Sequence, residues 1–190
     1  MAIEVRKFGQ TLNLAWQEPR RPYQATLFID SEKGWKARRR LLNDGVVNCV
    51  VLHFKADQPH EVSDFAEALE AFRCLNYENV HVIACNAAVV PSLAVVSGLL
   101  PEGIALVNPR PCANQDRYQD LLEETTSLLQ DVPLTKMIYD RNDEFGSSLA
   151  LALESKLPHL RQLGLSDLNN ETLGIIRSPG YVESFSKGAK

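Results

Sequence analysis

The sequence predicts an α/β fold in three layers, with helices on both faces of a mostly parallel sheet and a β-hairpin at the N-terminus. Two observations support this prediction. Short apolar runs rich in β-branched residues alternate with segments whose apolar residues recur at helical spacing. The apolar run at residues 80–85 also passes through one sharp corner, at Asn86, directly into a segment of small and aliphatic residues. Ligand sites in such sheets lie at the carboxyl ends of the strands, so this corner is the first candidate for a site.

The first part of the chain has clear patterns. Residues 3–16 alternate between apolar and polar on both sides of Gly9, which predicts a hairpin of two half-buried strands. A loop with two prolines separates the hairpin from the apolar run at residues 25–29, because proline cannot continue a strand ladder. This run ends at Asp30, where a helix is expected to begin, and residues 43–45 have the composition of a helix end.

Periodicity assigns the remaining elements in the same way. Apolar residues at helical spacing predict a helix at residues 61–75. Pro109 ends the predicted strand at residues 103–108. The predicted strands after the hairpin are residues 25–29, 46–54, 80–85, 103–108, 134–139 and 173–176, and the predicted helices are residues 30–42, 61–75, 88–100, 116–129 and 145–157.

The composition excludes several classes of function. With 190 residues, of which 45% are hydrophobic and 23% charged, the chain resembles an ordinary globular protein. We expect one domain over residues 1–190, with a core at about 3–185. The net charge of -4 at pH 7 argues against nucleic acid as a partner.

The compartment follows from what the sequence lacks. The N-terminal residues contain no apolar signal segment, and no run approaches the roughly 18 apolar residues of a membrane span. We therefore expect a cytoplasmic protein without membrane contact. Its cysteines have no Cys-x-x-Cys spacing, so we expect reduced thiols and neither a metal nor another cofactor. The four cysteines are Cys49, Cys74, Cys85 and Cys112.

The corner at Asn86 is the stretch of sequence that says most about function. The five residues Ala84-Cys85-Asn86-Ala87-Ala88 resemble the nucleophile elbow of the α/β-hydrolases, Gly-x-Ser-x-Gly, which places a serine at a strained strand-to-helix turn. Alanine replaces both glycines and is still small. Asparagine tolerates the positive φ that such a turn demands, but its amide is a poor nucleophile. The resemblance therefore implies the shape of the elbow without its chemistry.

The same resemblance, over about residues 3–185, implies the rest of a catalytic triad. Asp143 fills the acid position, although a loop-capping carboxylate is the commoner explanation of an Asn-Asp sequence. The histidine is expected after the last strand, and the nearest match there is Tyr181, which follows a glycine. Tyrosine, with a reference pKa near 10, is not a base at neutral pH. Two of the three triad positions are thus chemically replaced.

The oxyanion side of the elbow is altered as well. The resemblance places Asp30, Ser31 and Ala87 on this side, with Asp30-Ser31 where the family usually has His-Gly. A carboxylate there opposes the negative charge that develops in acyl transfer. Asp30 also suits the N-cap of a helix, and the two interpretations are compatible.

Two other groups of residues are candidates for function. Cys85 would be the nucleophile if the corner were shifted by one residue, but a buried structural cysteine is the more common case. A basic cluster could bind a phosphate or an acidic partner, although such runs are more often the solvated face of a helix. The basic cluster is Lys33, Lys36, Arg38, Arg39 and Arg40, with Arg20 and Arg21 nearby in sequence. The chain has four histidines; His53, His81 and His159 are expected to be structural or solvated, and the fourth is His60.

These observations predict a catalytically inactive α/β-hydrolase-like protein that acts as a binding or interaction module in the cytoplasm. The expected partner is a protein, most simply a second copy in a homodimer, and a small ligand at the elbow pocket is a further candidate. One alternative is an active esterase or thioesterase that uses Cys85 or an unplaced histidine. Another is a flavodoxin-like regulatory or nucleotide-binding domain, which the absence of a Gly-rich phosphate loop disfavours.

Overall fold

A computed structural model describes residues 3–17, 24–31, 49–55, 61–95, 99, 101–113, 130, 132, 134–157 and 159–168 of the chain. The strands within these ranges are β1 (Ile3–Phe8), β2 (Leu12–Gln17), β3 (Gln24–Ser31), β4 (Cys49–Phe54), β5 (Asn79–Cys85), β6 (Gly103–Val107), β7 (Leu134–Asp140) and β8 (Leu160–Leu165). The helices are α1 (Val62–Arg73), α2 (Val89–Val95) and α3 (Glu144–Glu154), and a 3-10 turn at Asn86–Ala88 joins β5 to α2.

All of these strands form one sheet in the order β1-β2-β4-β3-β5-β6-β7-β8. β1 pairs with β2, and β2 with β4, in antiparallel orientation, whereas every other neighbouring pair is parallel. The predicted fold class, a mostly parallel α/β sheet with an N-terminal hairpin, is confirmed. Because β3 to β8 run in one direction, their carboxyl ends all lie at the same end of the sheet.

The central strands of the sheet are buried on both faces. Leu27 and Ile29 of β3 belong to one apolar cluster, and Phe28 between them belongs to a second cluster on the other face. Every residue of β4 and β6 is buried, which explains why these strands are continuous apolar runs rather than alternating ones. On the first face, Phe65 of α1 packs edge-on against Phe54, with ring centroids 5.5 Å apart.

The structure differs from the sequence-based assignment at two places. β3 continues through Ser31, so Asp30 is a strand residue and the expected helix does not begin there. β8 was missed, because its sequence LRQLGL contains a glycine and no β-branched residue and has a weak strand propensity.

Other predictions lie outside the described residues. They are the strand at residues 173–176, the helices at residues 32–42 and 116–129, and the basic cluster with Arg20 and Arg21. None of the helices in the described part of the chain is long and apolar enough to cross a membrane.

Candidate functional site

The corner after β5 has the backbone conformation of an elbow. The last six residues of β5 are buried, and Asn86 follows with a φ of 56°, in the left-handed region that few residues other than glycine adopt. The predicted positive φ of Asn86 is therefore confirmed. Ala87 and Ala88 are buried in the 3-10 turn, where their small side chains let the chain turn close to the sheet before α2 begins.

Hydrogen bonds at both ends fix the side-chain amide of Asn86. Its Nδ2 donates to Oδ1 of Asp30 over 2.9 Å, and its Oδ1 accepts from Nδ2 of Asn108 over 2.8 Å. These three side chains follow or end the neighbouring strands β3, β5 and β6. The amide thus bridges a carboxylate on one side and a second amide on the other, and each donor faces an acceptor.

Asn108 was not identified from the sequence, where it was assigned only as the end of a strand. It is 7% exposed and also has a left-handed backbone, with a φ of 52°. Its backbone N–H donates to the carbonyl of Ile138 in β7 over 2.7 Å. The available signal was an asparagine directly before Pro109 and after an apolar strand, since such a residue ends the strand beside the elbow.

Asp30, which the resemblance assigns to the oxyanion side, is the penultimate residue of β3. Its side chain is completely buried and accepts a hydrogen bond from Asn86. In an acyl-transfer site this region must stabilise developing negative charge, which hydrogen-bond donors do and a carboxylate does not. Ala87 follows Asn86 directly and is 4% exposed, whereas the side chain of Ser31 is not among the described parts.

Asp143 acts as a helix cap. Its Oδ2 accepts from the backbone N–H of Gly146 over 2.8 Å at the start of α3, and its Oδ1 forms a 2.5 Å salt bridge with Nη1 of Arg110. The backbone N–H of Arg110 in turn donates to the carbonyl of Asn86 over 3.2 Å. Arg110, which was not predicted as a site residue, therefore connects the elbow to Asp143.

His53 is the histidine that the described structure brings to the elbow end of the sheet. It is the register partner of Asp30 in β4. Cys85 lies on the other side of Asp30, one residue beyond the paired Ile29 and Ala84. Adjacent strands are about 4.8 Å apart, so Cys85 and His53 are separated by two strand spacings with a carboxylate between them.

That arrangement differs from the surroundings of reactive cysteines. Reactive cysteines lie beside cations or helix N-termini and are partly exposed, whereas Cys85 is completely buried beside a carboxylate. His81 occupies the amino-terminal half of β5, away from the elbow, and burial lowers its pKa while Glu102 acts in the opposite direction. His159 is exposed just before β8.

The residue predicted at the histidine position of the triad, Tyr181, is not among the described residues. The same is true of His60. β8 ends at Leu165, and the three residues that follow it are Ser166, Asp167 and Leu168. The backbone carbonyl of Ser166 accepts from the side chain of Asn142 over 2.7 Å, which ties this segment to the loop before Asp143.

Three further findings bear on the chemistry. Cys49, Cys74, Cys85 and Cys112 are not joined in disulfides. The described ranges contain no group of three or more histidine, cysteine or acidic residues able to hold a metal ion. A cavity of about 410 Å³ lies at the opposite end of the sheet from the elbow, between the end of α1 and the start of β5, and Phe72 and Tyr77 form part of its lining.

Several solved structures have the same architecture as this chain. The chain is similar to the esterase domain of a Rhodothermus marinus protein, with 15% identity and a TM-score of 0.63 over 97% of this chain and 98% of that one. Est1E from Butyrivibrio proteoclasticus has 8% identity and a TM-score of 0.64 over 100% and 99% of the two chains. An α/β hydrolase from Sphaerobacter thermophilus has 12% identity and a TM-score of 0.57 over 96% and 100%.

In sequence, no protein-family model and no curated protein matches the chain. The strand order, the elbow and these structural neighbours together show that the protein has the α/β-hydrolase fold. At this level of identity the likeness concerns the fold, and the chemistry must be argued from the site.

The first prediction concerns the backbone at the elbow. Replacing Asn86 by valine should lower the free energy of unfolding by about 1–3 kcal/mol, because a β-branched residue is strained at positive φ and both amide hydrogen bonds are lost. Asn86→Gly is the matched control, since glycine adopts this φ without strain and loses only the hydrogen bonds. Urea denaturation measures both variants. If Asn86→Val has the same free energy of unfolding as the wild-type protein, no such backbone constraint exists.

The second prediction separates the two contacts of Asp143. Asp143→Ala should lower the free energy of unfolding by about 1 kcal/mol or more, because the cap of α3 is lost. Arg110→Ala should cost less, since the salt bridge is partly exposed and such pairs contribute about 0–1 kcal/mol. Asp143→Ser, which keeps a capping oxygen, should match Arg110→Ala in thermal or urea unfolding. Equal losses for Asp143→Ala and Asp143→Ser would contradict the capping role.

Proposed function

We propose that the protein is a catalytically inactive α/β-hydrolase-fold protein that acts as a cytoplasmic binding module. The observation that carries the proposal is Asn86, which stands at the tip of the elbow with its amide bonded to Asp30 and Asn108. The elbow keeps the geometry that presents a residue at the carboxyl ends of the strands. It presents a hydrogen-bonded amide instead of a nucleophile.

The chemistry of the amide supports this proposal. Covalent catalysis in this fold needs a hydroxyl or thiol whose proton passes to a base. The Asn86 amide has no such proton to give up, and its nitrogen and oxygen are each already held by a neighbouring side chain. Its role is therefore to orient polar groups at the corner.

The acid position supports the same conclusion. In a triad, the acid orients the histidine and stabilises the imidazolium that forms. Both oxygens of Asp143 are engaged by other groups, one by the N–H of Gly146 and one by Arg110. This carboxylate stabilises α3 and positions Arg110.

The charge at the oxyanion side disfavours acyl transfer as well. Removing one hydrogen-bond donor from an oxyanion hole costs about 3 kcal/mol of transition-state stabilisation. A buried carboxylate is less favourable than a missing donor, because it adds repulsion in a medium of low dielectric constant. The Asp30 side chain is thus suited to holding a donor, as it holds Nδ2 of Asn86.

A binding role fits the exposed part of the site. Asn86 and Arg110 are partly exposed at the carboxyl ends of parallel strands, which is where ligands bind in open α/β sheets. The guanidinium group of Arg110 has further N–H donors beside the one that contacts Asp143, and it suits a small polar ligand or a polar segment of a partner protein.

An active hydrolase is the second candidate. The structural neighbours named above include esterases, and His53 and Cys85 both lie at the elbow end of the sheet. In that case Cys85 would be the nucleophile of an esterase or thioesterase. The burial of Cys85 and the intervening Asp30 both oppose this alternative.

The third prediction tests the two candidates directly. The protein should hydrolyse p-nitrophenyl butyrate and butyryl-thiocholine no faster than the buffer does, because position 86 offers no hydroxyl. Spectrophotometric assays at neutral pH measure both rates. Cys85→Ala is the control, since a wild-type turnover that disappears in this variant would establish the hydrolase instead.

The fourth prediction concerns a serine introduced at position 86. Asn86→Ser should leave esterase activity near background and should not react with a fluorophosphonate probe, because a serine without a positioned base is not activated. Labelling detected by mass spectrometry would report an activated serine even without turnover. Rapid labelling of Asn86→Ser but not of Asn86→Ala would mean that a working base is already in place and would argue against the proposal.

A further inference from the structure

The cavity of about 410 Å³ at the amino-terminal end of β5 is lined by residues that all belong to the described part of the chain. Its volume falls within the range of about 300–1,000 Å³ that is usual for small-molecule sites. Three of its lining residues are apolar: Phe72, which is buried at the end of α1, Val80, which is buried in β5, and the partly buried Leu99. These side chains offer a surface for the apolar part of a ligand.

Polar groups stand around this apolar surface. Arg73 is the last residue of α1, and Asn76 and Glu78 follow in the loop that leads to β5. All three residues line the cavity and are exposed. Small-molecule sites commonly combine apolar walls with a few polar groups that fix the orientation of the ligand. The cavity therefore has the composition of a binding site for an amphipathic molecule.

Tyr77 gives a second, independent indication of a ligand. Its ring stacks on Phe72, with centroids 5.8 Å apart, and it also lines the cavity. Its hydroxyl oxygen is buried, and no group in the described ranges forms a hydrogen bond with it. Burial raises the pKa of Tyr77 to about 12, and Cys49 acts in the same direction, so the hydroxyl keeps its proton at neutral pH. A buried donor without an acceptor destabilises the fold, and a phenylalanine at this position would avoid that cost.

We propose that this cavity binds a small molecule made of an apolar body and a carboxylate group. The apolar body packs against Phe72, Val80 and Leu99. The carboxylate accepts hydrogen bonds from the hydroxyl of Tyr77 and from the guanidinium of Arg73, and bonds to an ionised acceptor are stronger than neutral ones. The cavity lies at the opposite end of the sheet from the elbow, so this inference is independent of the proposed function.

Two side chains must turn for this ligand to bind. The Tyr77 oxygen is buried, so the ring has to rotate toward the cavity, and side-chain rotations of this kind are common on binding. Nη1 of Arg73 is 3.4 Å from Oε2 of Glu70, and both side chains are exposed. Exposed pairs of this kind contribute little to stability, so the guanidinium can turn to a ligand at low cost.

Glu78 is the lining residue that opposes a carboxylate ligand. Its exposed side chain carries a negative charge at the cavity and would favour a cation instead. An ammonium group, however, offers no acceptor for the proton of Tyr77 and would leave that donor unsatisfied. A carboxylate satisfies it and also pairs with Arg73. The balance of contacts therefore favours the carboxylate.

Two compounds with the same apolar body test the charge of the ligand in an NMR titration. Hydrocinnamate should bind with a dissociation constant of about 1 mM or lower, and phenethylamine, which carries the same phenylethyl group, should bind at least about tenfold more weakly. Glu78→Gln should tighten the binding of hydrocinnamate, because it removes a negative charge from the cavity. Preferential binding of the amine, or no saturable binding of hydrocinnamate, would overturn the proposal.

Substitutions at the two donors test the contacts. Tyr77→Phe and Arg73→Gln should each raise the dissociation constant of hydrocinnamate by about tenfold, because each removes a hydrogen bond to a charged group. Arg161→Gln is the matched control, since Arg161 is an exposed arginine of β8 outside the cavity and its substitution should leave binding unchanged. Tyr77→Phe should also keep or raise the midpoint of thermal unfolding, because it removes a buried hydroxyl without a partner. Native affinity in Tyr77→Phe, or a lower unfolding midpoint for this variant, would refute the proposal.

Discussion

The hydrogen bond between Asn86 and the buried carboxylate of Asp30 is the interaction on which the site depends. A charged group without exposure to water is costly unless hydrogen bonds satisfy it, and a bond to a charged group contributes about 1.5–3 kcal/mol. The amide that satisfies Asp30 stands at a left-handed corner and is held from the other side by Asn108. Backbone shape and side-chain contacts therefore stabilise each other.

The strand order makes this contact possible. Asp30, Asn86 and Asn108 are far apart in sequence, yet β3, β5 and β6 are neighbours in the sheet. Because these strands are parallel, their carboxyl ends coincide and the three side chains meet in one row. Arg110 extends the row to Asp143, where the same carboxylate begins α3.

Much of the fold could be predicted from the sequence, because its signals are local. The alternation on both sides of Gly9 identified the hairpin, and continuous apolar runs identified the buried strands. β8 could not be found in this way, since LRQLGL has neither alternation nor β-branched residues. Pairing with β7 makes it a strand, and that pairing depends on residues distant in sequence.

The sequence by itself determined the mostly parallel α/β class, the left-handed corner at Asn86 and the presence of a side-chain amide there, because residue type and local pattern decide these properties. Only the tertiary structure decided which side chains contact one another. It showed that Asn86 bonds to Asn108 as well as to Asp30, that Asp143 is paired with Arg110, and that His53 and Cys85 lie on opposite sides of Asp30. The physical reason is that hydrogen bonds and ion pairs act over a few ångströms in space, and the order of strands in the sheet sets which residues come that close.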